Sequence, residues 1–201
     1  MNFKIFVDCL LIPLIMNAPS QNHCSGNIRA KNIPTEVKYI LLKIKTETLV
    51  PVIIPTVLPR YDIPLIAGRR IEKKYAKDAY DIFYGTSEEC DSNKCSFGST
   101  GGELISAITQ HPIEEYNLGI SLYKRSGRLP ENQKKTEESG GYITLSKGIN
   151  GFYIPSFCYA YCSDAKIVWQ QDEYQYYVAL SRGGTLKELT KIANSAIENQ
   201  P

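Results

Sequence analysis

Six cysteines and two histidines hold most of the reactive chemistry open to this chain. Cys90 and Cys95 lie in EECDSNKCSFG, residues 88–98, and Cys158 and Cys162 in FCYAYC, residues 157–162. As thiolates the four could complete a tetrahedral zinc site, although CxxxxC and CxxxC are not the CxxC pairs of most zinc ribbons. In an oxidising compartment the same four sulfurs would instead form two bridges. Asp91-Ser92-Asn93 is turn chemistry that can bring Cys90 and Cys95 within bridging distance. Cys158 and Cys162 would stand roughly 13 Å apart in an extended strand, so they join only where the chain turns back on itself. Local pairing, Cys90 with Cys95 and Cys158 with Cys162, is the expectation. Cross-pairing of the two segments, closing about seventy residues, is the rival.

His23 falls in a polar stretch with nothing to hold it, which leaves His111, just before Pro112, for any hydrolase device. Ser106 and Ser121 are available, but no GxSxG elbow accompanies them. The carboxylate pairs Glu88-Glu89, Glu114-Glu115 and Glu137-Glu138 are adjacent in sequence and read as solvated surface rather than acid–base pairs. Glycines in Ser96 to Gly102 match neither GxxxxGK[ST] nor GxGxxG, so a phosphate site has no support. No catalytic residue, metal ligand or cofactor is assigned on these grounds.

Aromatic side chains give a firmer signal. The chain has 14 tyrosines, an excess that suits half-buried strands, where the ring packs and the hydroxyl reaches water or a partner. Tyr153, Tyr159, Tyr161, Trp169 and Tyr177 crowd one C-terminal span and would form an aromatic platform for a sugar, a peptide or an envelope component. The competing reading places these rings in the core and in cross-strand pairs. A formal net charge of +2 gives no electrostatic case for nucleic acid or anionic lipid.

These residues need a frame, and the clearest part of it is Ala165 to Asn199. Ile167 and Trp169, then Tyr174, Tyr176, Val178 and Leu180, alternate as two strands joined at Asp172-Glu173. Thr185 and Glu188 have capping-box spacing, and Leu186, Leu189, Ile192, Ala193, Ala196 and Ile197 then form one helical stripe. Upstream, Tyr80, Ile82 and Tyr84 share a strand face, and Leu118 to Lys124 reads as a further strand. Glu103 to Gln110 is ambiguous between strand and helical turn. Tyr142 to Leu145 and Gly151 to Ile154 suggest a hairpin, with Asn150-Gly151 as its strongest turn signal. Ser126 to Gly141 is polar and charged and reads as a protruding loop.

Val37, Ile40, Leu41 and Ile44 mark an N-terminal amphipathic helix over 35–47. Prolines at 51, 55 and 59 then predict short extended pieces at a sheet edge. The basic run Arg69 to Lys77 reads as a solvated connection. At the start, Lys4, the apolar run Ile5 to Met16 and the small residues Ala18-Pro19-Ser20 have the layout of a secretory signal, with a run too short to span a bilayer. Asp8 and Pro13 depart from that layout.

Several of these segments together resemble a group of uncharacterised secreted bacterial proteins common in cyanobacteria. The shared pieces are VPVIIPTVLP at Val50 to Pro59, the Cys90 to Gly98 loop, Gly148 to Phe152 with the nearby cysteine pair, Trp169 to Tyr177, and Ala193 to Ile197. The resemblance implies export and carries no activity with it. The expectation is a signal peptide at 1–20, a linker at 21–34 and one α+β domain at 35–201. In that domain an antiparallel sheet has the C-terminal amphipathic helix packed on one face and a second, N-terminal helix. Function is expected to be non-catalytic binding or structure, in a secreted or cell-envelope setting and with no membrane span after signal cleavage. The alternatives are a hydrolase using His111 and a zinc-stabilised intracellular domain.

Overall fold

A computed structural model describes residues 38, 41, 44–58, 66–69, 77–85, 95–125, 139–158, 162–181 and 184–200. The expected signal peptide, the linker, most of the Ser126 to Gly141 loop and of the basic run, Cys90, Tyr159 and Tyr161 lie outside them.

The C-terminal unit follows its pattern. Strands β6 (Ala165–Gln171) and β7 (Tyr174–Leu180) pair antiparallel around Asp172, whose φ of 54° is one that aspartate tolerates. The C-terminal helix, Leu186–Glu198, starts at a capping box: Thr185 Oγ1 accepts the Glu188 N–H at 3.2 Å, and Glu188 Oε2 accepts the Thr185 N–H at 3.0 Å. Its stripe is buried, with Leu189 and Ile197 fully enclosed and Ile192 at 4% exposure. Each such aliphatic contributes roughly 1.5–3 kcal/mol of burial before chain entropy is subtracted.

Among the described residues the other strands are β1 (Ile66–Arg69), β2 (Ala79–Gly85), β3 (Ser96–Leu104), β4 (Gly141–Thr144) and β5 (Asn150–Ile154). All join one antiparallel sheet in the order β1-β2-β3-β7-β6-β5-β4. Two meanders therefore meet where β3 pairs with β7. Tyr80, Ile82, Tyr84, Tyr153, Ile167, Trp169, Tyr176 and Val178 share one face, and the C-terminal helix packs on it.

The opposite face carries a helix over residues whose alternation predicts a strand at Leu118 to Lys124. Pro112–Arg125 is α1, and the C-terminal helix is α2 from here on. Proline at the first helical position, Glu114 and Glu115 in the first turn and Lys124 and Arg125 in the last all complement a helix and its dipole. Tyr116, Ile120 and Tyr123 pack from it against Phe152, Ile154, Phe157 and Val168.

Ser96 to Gly102, whose glycines match no phosphate-binding motif, is part of the central strand β3. There Gly101 faces Tyr177, and Gly102 lies between Tyr80 and Tyr176, so absent side chains make room for large rings. The β4–β5 turn falls at Lys147-Gly148, where φ is 59° and 73°, while Asn150 and Gly151 open β5.

The proline segment is no sheet edge either. Residues 51–58 form no strand, and Ile53 and Ile54 are buried in the core. Side chains replace the ladder that proline denies. Tyr80 Oη accepts the Ile53 N–H at 2.9 Å and donates to the Ile53 carbonyl at 3.1 Å, Asn199 Nδ2 donates to the Ile54 carbonyl at 3.2 Å, and Ser195 Oγ accepts the Val57 N–H at 3.3 Å. Just before this segment Lys38, Leu41, Ile44 and Lys45 are helical, with Leu41 and Ile44 in the same core.

Candidate functional site

Between α1 and the sheet lies a cleft of about 340 Å³, open to solvent along one side. Its floor follows from register: Ile154 on β5 pairs with Lys166 on β6, Lys166 with Ala179 on β7, and Ala179 with Ser99 on β3. Strand pairing thus draws four distant positions into one cross-strand row. Ala179 and Ser99 are small, which leaves depth. The helix wall is Glu115, Leu118, Gly119 and Leu122, recurring at the helical period on one flank of α1. Leu118 and Leu122 are 53% and 42% exposed, so this flank presents apolar surface toward the opening.

The far wall is Phe157, Ser163 and Asp164, set by a staple. Cys158 and Cys162 are bonded, with sulfurs 2.10 Å apart and Cα atoms 3.8 Å apart in an antiparallel bridge. Around it the Phe157 N–H donates to Ser163 Oγ at 2.9 Å, the Ser163 N–H donates to the Phe157 carbonyl at 2.7 Å, and Ser156 Oγ donates to the Ser163 carbonyl at 2.6 Å. Phe157 in turn seats α1, for a Cβ on Gly119 would come within 2.5 Å of its ring.

Charge in the cleft is partly spent internally. Lys166 Nζ meets Glu115 Oε1 at 2.6 Å, and the Tyr177 hydroxyl donates to Asp81 Oδ1 at 2.7 Å at the floor's edge. Asp164, half-buried, has no hydrogen-bond or ion-pair partner among the described residues.

On the same sheet face, Gln175 Nε2 donates to Glu103 Oε1 at 3.1 Å and to the Gln110 carbonyl at 3.4 Å. Burial raises the Glu103 carboxyl above its ordinary value of 4.5, opposed by the Gln175 hydrogen bond and the Lys166 charge. A carboxyl raised in the folded state binds its proton more tightly there. Its contribution is therefore fully present below about pH 4.5 and is lost as pH rises through the higher folded value. Glu103→Gln keeps the amide's acceptor and removes the charge. The substituted protein should melt above the parent at pH 7, with the gap closing toward pH 4, and thermal melts showing a gap that narrows or reverses as pH rises would refute this.

The rings expected to form a platform divide between the two faces. Trp169 and Tyr153 are 2% and 3% exposed in the core beneath α2, so neither offers a face to a ligand. Tyr177 is on the other face and lines the cleft. His111 sits just before α1, is exposed, and its Nδ1 accepts the Ile113 N–H at 3.4 Å; it is not among the residues lining the cleft. Bonding of Cys158 to Cys162 removes two of the four thiolates that the zinc alternative needs. Cys95 is also disulfide-bonded.

Sequence reading missed Lys166, Asp164, Leu118 and Leu122. Glu115 entered only as half of an adjacent carboxylate pair. A helical reading of 112–125 would have put Glu115, Leu118 and Leu122 on one flank, but nothing local joins that flank to residues 164–166. No helix among the described residues is long and apolar enough to cross a membrane. No family model matches the chain, and neither a curated protein nor a solved structure matches it.

Proposed function

We propose that this chain is a non-catalytic binding domain of the secreted or envelope class, and that its ligand occupies the cleft between α1 and the sheet. The observation that carries the reading is the cleft, whose volume of about 340 Å³ suits a small ligand or a single side chain of a larger one. Its chemistry favours holding over reacting. Lys166 and Glu115 neutralise each other, Ser163 Oγ accepts a backbone N–H, and the lining has neither histidine nor cysteine among the described residues. Export is supported by the signal-like layout of Met1 to Ser20 and by the bonded Cys158–Cys162 pair, which suits an oxidising space.

A fragment screen followed by amide chemical shifts tests the assignment. Binding fragments should move Leu118, Leu122, Ser163 and Lys166. Leu122→Trp, which fills the opening from a partly exposed position, should weaken them by about tenfold or more, equivalent to roughly 1.4 kcal/mol, with the melting temperature little changed. Fragments that bind only elsewhere, or that ignore the tryptophan, would overturn the reading.

A further inference from the structure

Among the described residues the cleft is lined by two carboxylates and one ammonium, and the imbalance is localised. Lys166 is satisfied by Glu115 at 2.6 Å. Asp164 is left, half-buried at the start of β6, with its acceptor capacity unused by any described residue. A carboxylate drawn partly out of water gains most from a cationic donor, because charge-assisted hydrogen bonds strengthen as the surroundings become less polar. An ammonium has three donors to place, and Ser163 Oγ and the Glu115 carboxylate also line the cleft. Beside these groups Leu118 and Leu122 leave apolar surface uncovered along α1, and Phe157 and Ile154 continue it inward. An anion would fare worse, since it would have to displace Glu115 from Lys166 and then lie near Asp164.

We propose that the cleft takes an alkylammonium group, a cationic nitrogen on an apolar stem, with the nitrogen at Asp164 and the stem along Leu118 and Leu122. The proposal rests on the cleft being the binding site. A free aliphatic amine and a lysine side chain on an extended peptide share this chemistry. Hexylammonium, hexanol and hexanoate compare head groups on one stem, and Nα-acetyl-lysine methylamide compares the two sources.

Titrations at neutral pH, followed by amide shifts in the disulfide-bonded full chain, should show hexylammonium binding about tenfold or more tighter than hexanoate, the factor of one charge-assisted hydrogen bond. Hexanol should fall between them. Asp164→Asn should abolish the preference while leaving the melting temperature close to the parent's. Asp172→Asn, on the β6–β7 turn away from the cleft, should leave the preference intact. Tighter binding of the lysine derivative than of hexylammonium would assign the group to a peptide, and the reverse order to a free amine. Hexanoate or hexanol binding in the cleft as tightly as hexylammonium, or a preference that survives Asp164→Asn, would overturn the proposal and leave the binding site standing. No shift in the cleft with any probe would count against both.

Discussion

Trp169→Ala is expected to destabilise the fold by about 3–5 kcal/mol, the range for emptying a large buried aromatic site. The ring is 2% exposed, stacks on Tyr176 with centroids 5.8 Å apart, and belongs to the core that α2 closes. Its environment also predicts an asymmetry between two substitutions. Trp169 Nε1 is buried with no hydrogen-bond partner among the described residues, so the native side chain bears the desolvation of an unused donor, roughly 1–3 kcal/mol. Trp169→Phe removes that penalty while leaving a smaller void costing about 1 kcal/mol, and the two terms nearly cancel. Urea denaturation should place Trp169→Phe near the parent and Trp169→Ala far below it, with equal slopes. An alanine variant within about 1 kcal/mol of the parent would mean that the ring is not core, and that a surface role for it must be reconsidered.

What could be read in advance divides by how local the determining physics is. The β6–β7–α2 unit was legible because its alternation, its two-residue turn and its Thr185–Glu188 cap are each settled within a few residues. Helix α1 was not, because Leu118, Ile120 and Leu122 alternate like a strand. The periodicity that wins, Tyr116, Ile120 and Tyr123, has value only against Phe157 and Phe152, far along the chain. The proline segment misled for a related reason. Proline excludes ladder bonding, but it says nothing about whether a tyrosine hydroxyl from β2 and an asparagine just past α2 will stand in for the ladder.

The cleft is less legible still. Glu115 and Lys166 meet across fifty-one positions, and Ser99 reaches the floor only because β3 pairs with β7 and β7 with β6. Composition pointed to aromatics as binding groups, yet register sends odd and even positions of one strand to opposite faces. Trp169 goes beneath α2, while its neighbours Val168 and Lys166 go toward α1. A side chain's chemistry was visible from the start; the face it would serve was fixed by sheet order.

Gly98→Ala is the second large effect, and it tests the meeting point of the two meanders. A Cβ at Gly98 would lie 2.4 Å from the Ala179 carbonyl oxygen and 3.1 Å from Leu180 Cδ2. The first of these is backbone of β7, which pairs with both β3 and β6. It cannot retreat without disturbing two ladders, so the loss should reach the upper end of the overpacking range, about 3 kcal/mol or more. At Gly102 the three nearest atoms to such a Cβ belong to the side-chain rings of Tyr176 and Tyr80, which yield more readily than backbone, so Gly102→Ala should lose less. Gly141→Ala, on the edge strand β4, meets nothing within 4 Å; reduced freedom of the unfolded chain should make it neutral or stabilising by up to about 1 kcal/mol. Since Ser99 forms the cleft floor beside Ala179, whatever Gly98→Ala shifts in β7 should also move the amide resonances of the cleft, an effect that Gly141→Ala should lack. Equal melting temperatures for the Gly98 and Gly141 variants would show that β3 and β7 do not approach as closely as this sheet order requires.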